Sequence, residues 1–413
     1  MRAARVGLIA WLLAGRALAQ ETPAEPRELT VEALVAYARD QAARTRAARA
    51  ELPVAEAEVA AAAVYPNPTL SYSLYGRVQG QSDAINGTQH QVTLEQPLLL
   101  GHDALRRDAA RGAAEARRAE VDAAVFDIVI EARRRFVSLL AAQARLGLLR
   151  ATRAELDAIA DIVRGRASAG AQSAYDVARV ELEAAQLDAR AASADADVRE
   201  RAAALSAWLG ISGWTPVARG EFPSAAPAPS VARLWPEVLA RSASLRAARR
   251  RAAAAGLDVR RAERERVPVP TLGLGAYVTT DGGSSSLYGS VSLPLPTWDT
   301  GSAQLRRAQA ARAQAEANLD AAEREQRARL EGAVRVFEAR RAALDTHAEG
   351  AMRGLPGLRE MAEASYRSGA SRVFDLLDAF RTRLAVQEQR VELVEQLEGA
   401  RVEVDAATGA ATP

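Results

Sequence analysis

The chain has 413 residues, of which 49% are hydrophobic but only 5% aromatic; alanine fills much of the apolar share, a composition that favours helix. Its 54 basic residues, all arginine, face 52 acids for a formal charge of +2, and three of the arginines fall in residues 1–19, so neither part suggests a nucleic-acid-binding protein. There are no cysteines, which excludes a disulfide framework, a thiolate metal site, a cysteine nucleophile and a lipid anchor on an N-terminal cysteine.

Residues 1–19 read as a secretory signal peptide. Arg2 and Arg5 give a basic start, and Val6 to Ala14 form an apolar run too short to span a bilayer. Ala17-Leu18-Ala19 offers a small-x-small cleavage site. No later segment approaches the ~18 continuous apolar residues of a membrane helix. The remainder is expected outside the cytoplasm, either soluble or in a membrane as β-strands.

Residues 20–212 form a first repeat, 213–229 a linker with four prolines, 230–407 a second repeat, and 408–413 a disordered tail. Leu29-Thr30-Val31-Glu32-Ala33-Leu34 is echoed by Ser230-Val231-Ala232-Arg233-Leu234. Pro66-Asn67-Pro68-Thr69-Leu70 is echoed by Pro268-Val269-Pro270-Thr271-Leu272, and Val92-Thr93-Leu94 by Val291-Ser292-Leu293. Leu105-Arg106-Arg107 returns as Leu305-Arg306-Arg307. Gly170-Ala171 with Asp176 returns as Gly369-Ala370 with Asp375.

Each repeat begins with a helix that stops at a proline break. Alternating apolar and polar residues then predict strands at about 69–78 and 90–97, and at about 271–279 and 287–295. Polar loops, Gln79 to Gln89 and Asp281 to Ser286, make each pair a β-hairpin. A long proline-free stretch follows. From Asp103 to about Ala167 it would span ~100 Å as helix, with breaks expected near Gly147 and, in the second repeat, near Pro356. A glycine turn then leads to another long helix, at Gly170 in the first repeat and Gly369 in the second. Four strands cannot close a membrane barrel, which starts at about eight. In lipid, several copies would have to share one barrel; otherwise the hairpins would cap a soluble rod.

The duplicated order of helix, hairpin and long helical pair resembles the TolC-type outer-membrane factors over the whole chain after residue 19. Within that family it is most similar to the outer-membrane subunits of heavy-metal cation (cobalt-zinc-cadmium type) efflux systems. Pro66-Asn67-Pro68, Glu95-Gln96-Pro97-Leu98-Leu99-Leu100-Gly101 and Val291-Ser292-Leu293-Pro294-Leu295-Pro296-Thr297-Trp298-Asp299 carry that likeness. The resemblance implies a mainly α fold with a small transmembrane β part. It implies a homotrimer whose twelve-stranded β-barrel continues into a twelve-helix α-barrel crossing the periplasm. It also implies a periplasmic adaptor (membrane fusion protein), an inner-membrane RND-type pump, and no catalysis or cofactor. The expected function is the exit duct of a tripartite efflux pump, with heavy-metal cations as cargo. Multidrug or small-molecule export by the same kind of channel is the alternative, as is a periplasmic coiled-coil adaptor with no pore.

The resemblance places the turns at Gly170-Ala171 and Gly369-Ala370 at the periplasmic end, where the adaptor docks. Asp375 and Asp378, spaced i and i+3, share a helix face and would form carboxylate rings that favour cations. Acids in a first helical turn also serve the helix dipole. Asp176 matches Asp375, but Arg179 stands where Asp378 stands, so the first repeat can pair its acid internally while the second leaves two unpaired. Tyr366 matches a tyrosine that the family uses to hold the closed tip. Arg372 falls one residue later than the family's usual arginine. His90, His102 and His347 lie too far apart for metal ligation. Trp298 is expected at the membrane interface or packed where barrel meets tunnel.

Overall fold

The computed structural model describes residues 28–76, 88–168, 173–220, 222, 230–280 and 284–410; the expected signal peptide, Gly170-Ala171 and most of the linker's second half lie outside them. In chain order the elements are β1 (Glu28–Leu29), α1 (Val31–Asp40), α2 (Ala43–Arg49), α3 (Glu51–Ala63), β2 (Thr69–Tyr75), β3 (Gln89–Pro97), α4 (His102–Ser168), α5 (Ala174–Leu209) and β4 (Val217–Ala218). The second half continues with α6 (Val231–Arg241), α7 (Ala243–Glu265), β5 (Thr271–Thr279), β6 (Ser285–Ser292), α8 (Ser302–Glu349), α9 (Ala351–Arg367) and α10 (Val373–Thr408).

Four differences from the sequence expectation have local causes. The leading helix of each half is divided. Ala42 takes an extended backbone, and Thr45 donates to the Ala38 carbonyl at 2.6 Å across that break. Ser242 ends α6 and caps α7 through the Leu245 N–H. Gly147 does not interrupt α4, which runs unbroken for 67 residues, or ~100 Å at 1.5 Å per residue. A lone glycine costs only about 1 kcal/mol relative to alanine, and Leu146 and Leu149 beside it are buried in the core. The break near Pro356 lies upstream, at Gly350, which takes the irregular dihedrals. Thr408 and Gly409, expected in a disordered tail, instead finish α10. Thr408 donates to the Asp405 carbonyl at 3.0 Å, and Gly409 has φ +80.

Gly409 has a counterpart in Gly210, which ends α5 with φ +75. An L-residue rarely adopts that conformation. Here a Cβ would also sit 2.6 Å from Ala43 Cβ at Gly210, or 3.1 Å from the Arg241 carbonyl oxygen at Gly409. The ends of α5 and α10 thus each meet the break in the leading helix of their own repeat.

Three apolar clusters hold the helices. One packs α1 against α4 and α5 through Leu34, Ala38, Phe136, Leu139 and Leu205. Its counterpart packs α6 against α8 and α10 through Val238, Leu330, Phe337 and Leu397. The third joins the halves, combining Leu156 and Val163 of α4 with Val180 and Leu187 of α5, Tyr366 of α9, and Leu376, Leu377 and Phe380 of α10. Hairpins β2–β3 and β5–β6 form one antiparallel sheet in the order β2-β3-β5-β6. β6 begins at Ser285 and ends at Ser292, short of the expected 295, because Pro294 has no N–H to extend a ladder.

Arg133 of α4 is buried and pairs with Asp405 of α10 at 2.6 Å, while its Nε and Nη1 have no partner among the described residues. Burial pushes the nearby Glu398 carboxyl above its ordinary value, against the pull of Arg401 and with a further push from Asp405. Breaking a buried pair from one side typically costs about 3–5 kcal/mol. Asp405→Ala is therefore expected to lower the unfolding midpoint strongly, and Arg133→Met with Asp405→Ala to recover most of the loss. A carboxyl raised on folding weakens the fold as pH rises from the unfolded value through the folded one. Glu398→Gln should then raise the midpoint at neutral pH, with a gain that vanishes in acid below the ordinary glutamate range. Thermal melts across pH check both.

Candidate gate and membrane face

The four-stranded sheet is inverted relative to a soluble one. In register, Leu70 pairs with Leu94, Tyr72 with Val92, Leu94 with Leu274, Leu272 with Val291 and Ala276 with Leu287. These residues share one face, because successive side chains alternate. That face is open: Leu274 is 72% exposed and Leu287 88%. The opposite face carries Ser71, Ser73, Gln91, Thr93, Glu95, Tyr277, Tyr288 and Ser290. An exposed apolar face of this extent marks an interaction surface. Among the described residues nothing pairs with the outer edges of β2 and β6. Trp298, just beyond β6, is 97% exposed.

The joint between strands and rods is tied across the two repeats. Leu98 N–H donates to the Pro270 carbonyl at 2.8 Å. His102 sets one ring nitrogen against the Leu99 carbonyl and the other 3.0 Å from the Val267 carbonyl. His90 meets the Tyr72 hydroxyl at 2.7 Å, and His347 meets the Val386 carbonyl at 3.0 Å. Each histidine thus has its own separate partners. Among the described residues no group of three His, Cys, Asp or Glu side chains comes together to hold a metal. Nor is any described helix long and apolar enough to cross a membrane.

The far end of the rods is built from both repeats. α4 and α9 end there, and α5 and α10 begin. Gly369 takes φ +80, and the Ala370 N–H turns back to the Ser365 carbonyl at 2.9 Å, closing α9. Tyr366 is buried against α4, α5 and α10. Arg166, in the last turn of α4, donates to the Tyr366 carbonyl and lies 4.9 Å from the ring centroid. The Tyr366 hydroxyl is buried without a partner among the described residues. Burial raises its pKa, Arg166 opposes that shift, and Asp176 adds to it.

Asp375 and Asp378 are exposed near the start of α10. Asp375 is not idle, since its Oδ2 accepts the Arg372 N–H at 2.9 Å and so caps α10. Asp378 faces the charge of Arg381, which itself holds Glu183 of α5 through Nε at 2.9 Å. At the start of α5 the cap is Ser173, whose hydroxyl accepts the Asp176 N–H at 3.3 Å and donates to Asp176 Oδ2 at 2.8 Å. Arg179 donates to the Tyr175 hydroxyl at 3.3 Å and stands 4.8 Å over the Phe374 ring. Tyr175 and Phe374 are both exposed and directly precede Asp176 and Asp375. Sequence reasoning passed over this pair, although the repeat marks it. Arg166 was also passed over, and carried no signal beyond being one arginine among many.

Further along, α5 and α10 are linked by Arg190 to Glu388 at 2.5 Å and Arg201 to Glu395 at 2.8 Å. The site therefore contains acids, aromatic rings and cross-repeat ion pairs.

The chain thus joins a sheet whose apolar face is open to very long helical rods that end in a turn carrying charged and aromatic side chains. The sequence profile of the outer membrane efflux protein family matches residues 34–211 and 234–410, one match per repeat, and the chain belongs to that family. The fold is similar to that of the outer-membrane channel OprN (TM-score 0.73, 20% identity, covering 92% of this chain and 90% of that one). It is also similar to that of CusC, described as undergoing conformational changes on folding and transmembrane channel formation (0.73, 16%, 92% and 92%). A third similar structure is the outer membrane protein VceC of Vibrio cholerae (0.70, 19%, 92% and 96%). None of the curated proteins matches the chain.

An unpartnered buried hydroxyl contributes nothing and costs its desolvation. Tyr366→Phe is thus expected to leave the unfolding midpoint unchanged or slightly higher. Arg166→Ala removes both ties to Tyr366 and should speed amide exchange in the last turns of α4 and α9, read by hydrogen–deuterium exchange mass spectrometry.

Proposed function

We propose that the protein is the outer-membrane exit duct of a tripartite efflux pump. Three copies close a twelve-stranded barrel in the outer membrane, and their long helices form a tunnel through the periplasm. The observation that carries this reading is the four-stranded sheet with its apolar face outward and both edges open. In lipid every backbone donor and acceptor needs a partner, and copies of the same sheet supply one another's edges. A periplasmic adaptor meets the tip turns around Gly170-Ala171 and Gly369-Ala370, and an inner-membrane pump of RND type supplies the energy. The duct itself conducts passively.

Heavy-metal cations are the proposed cargo, supported by the resemblance of the strand-to-helix joints and by the acids at the tip. Asp375 and Asp378 form the selectivity ring, with Tyr366, Arg372 and Asp176 bracing it. The first repeat contributes Arg179 where the second has Asp378, so the negative field comes from α10. Rings of carboxylates attract cations.

Single-channel recording of the protein in planar lipid bilayers tests the gate. Asp375→Asn with Asp378→Asn should reduce the cation-over-anion permeability ratio severalfold and abolish block by multivalent cations. Unchanged preference and unchanged block in that double variant would refute the ring. A wild-type protein that fractionates as a soluble periplasmic monomer would refute the channel.

A further inference from the structure

The polar face of the sheet holds one arrangement that capping, packing and gating leave unexplained. Gly275 of β5 lies directly opposite Tyr288 of β6, and opposite Thr93 of β3 on its other side. A Cβ at Gly275 would fall 2.3 Å from Tyr288 Cζ and 2.5 Å from its Cε1 and Oη. The tyrosine ring therefore occupies the space above the glycine. Side chains of strands ordinarily stand roughly perpendicular to the sheet; this one lies down across its neighbour. Its hydroxyl reaches the next strand, where Gln91 Nε2 donates to it and Thr93 Oγ1 lies at 2.5 Å. The Tyr277 ring stands alongside, with centroids 6.5 Å apart at 39°.

Glycine in a strand interior weakens the strand, and it marks a site of close approach. Here the approaching group is an aromatic ring held at its far end by two polar side chains. The first repeat has no such device. By the alignment of the repeats Ser73 stands in the place of Gly275, and in register it faces Gln91. The pairing therefore belongs to the second hairpin alone.

We infer that Gly275 is a positioning residue for conduction: it lets Tyr288 lie flat against the inner wall, so that the barrel stays wide at that level. The inference rests on the channel reading, in which the polar face lines the lumen. With any side chain at Gly275 the ring has to leave the wall. It then stands toward the axis in every copy, and the bore narrows by one tyrosine length per protomer. The hydroxyl contacts are the second half of the device, since they hold the ring down once the glycine has made room.

The test is single-channel conductance, with the size cut-off for polyethylene glycol entry, for the full-length protein in planar bilayers. Wild type, Gly275→Ala, Tyr288→Ser, the Gly275→Ala/Tyr288→Ser pair and Tyr288→Phe are compared. Gly275→Ala should lose conductance and admit only smaller polymers. The double variant should regain wild-type values, because the displaced ring is gone, whereas a merely structural defect at Gly275 would persist in it. Tyr288→Phe, which keeps the glycine but lacks the anchoring hydroxyl, should show added open-channel noise and a smaller mean conductance. It decides the matter if Gly275→Ala fails to assemble. A conducting wild type with Gly275→Ala unchanged, a double variant as low as Gly275→Ala, or an unaltered Tyr288→Phe would overturn the inference and leave the channel standing. A wild type with no conductance would overturn both.

Discussion

An unpaired backbone polar group costs several kilocalories per mole where no water can reach it. That constraint organises the whole chain. The sheet places Leu70, Leu94, Leu274 and Leu287 outward. It leaves the edges of β2 and β6 unpaired among the described residues. A soluble protein with such a surface would aggregate through its edges and its apolar face. In the proposed barrel both problems have one answer, because each copy's edge is completed by the next and the apolar face meets lipid. The prolines at 66, 68, 97, 268, 270, 294 and 296 then have a plain role: they end ladders and restart the chain where sheet gives way to helix.

Duplication supplies the frame, and its asymmetries mark where the halves do different work. The caps Gly210 and Gly409 repeat, as do the clusters that seat α1 and α6. At the tip the halves diverge: Arg179 leans on the Phe374 ring, whereas Asp378 faces Arg381. In the sheet, Gly275 faces Tyr288, whereas Ser73, which aligns with Gly275, faces Gln91. The rods differ too, for α4 is unbroken while α8 and α9 are divided at Gly350.

Charge is plentiful, but its energetic weight is uneven. Exposed i,i+4 pairs such as Arg324 with Asp320 and Arg312 with Glu316 contribute about 0.3–0.5 kcal/mol each and chiefly keep the rods solvated. Pairs between helices act differently. Arg133 with Asp405, Arg201 with Glu395 and Arg381 with Glu183 tie α10 to α4 and α5, and all three join one repeat to the other.

Much was legible in the sequence because it depends on periodicity and on residues with fixed backbone habits. Alternation set the strands, proline-free alanine-rich runs set the rods, and the recurrence of Pro-x-Pro-Thr-Leu and of Gly-Ala before an acid set the duplication. The place of Asp375 in a first turn, where an acid serves the dipole, was legible too, but its bond to the Arg372 N–H was not. Tertiary structure alone decided the rest. The Arg166 contact with Tyr366, the stance of Arg179 over Phe374 and the Tyr288 ring across Gly275 join residues roughly 200 or fewer positions apart on different elements. Nothing in the local pattern selects such partners: the first two contacts form because the two repeats pack on one another, and the third because strand register sets Tyr288 opposite Gly275. The helix breaks were decided in the same way, with Gly147 held straight by the buried leucines around it and Gly350 released where no buried neighbour held it. Local pattern determines which segments bend and alternate, and packing determines which of those tendencies prevail.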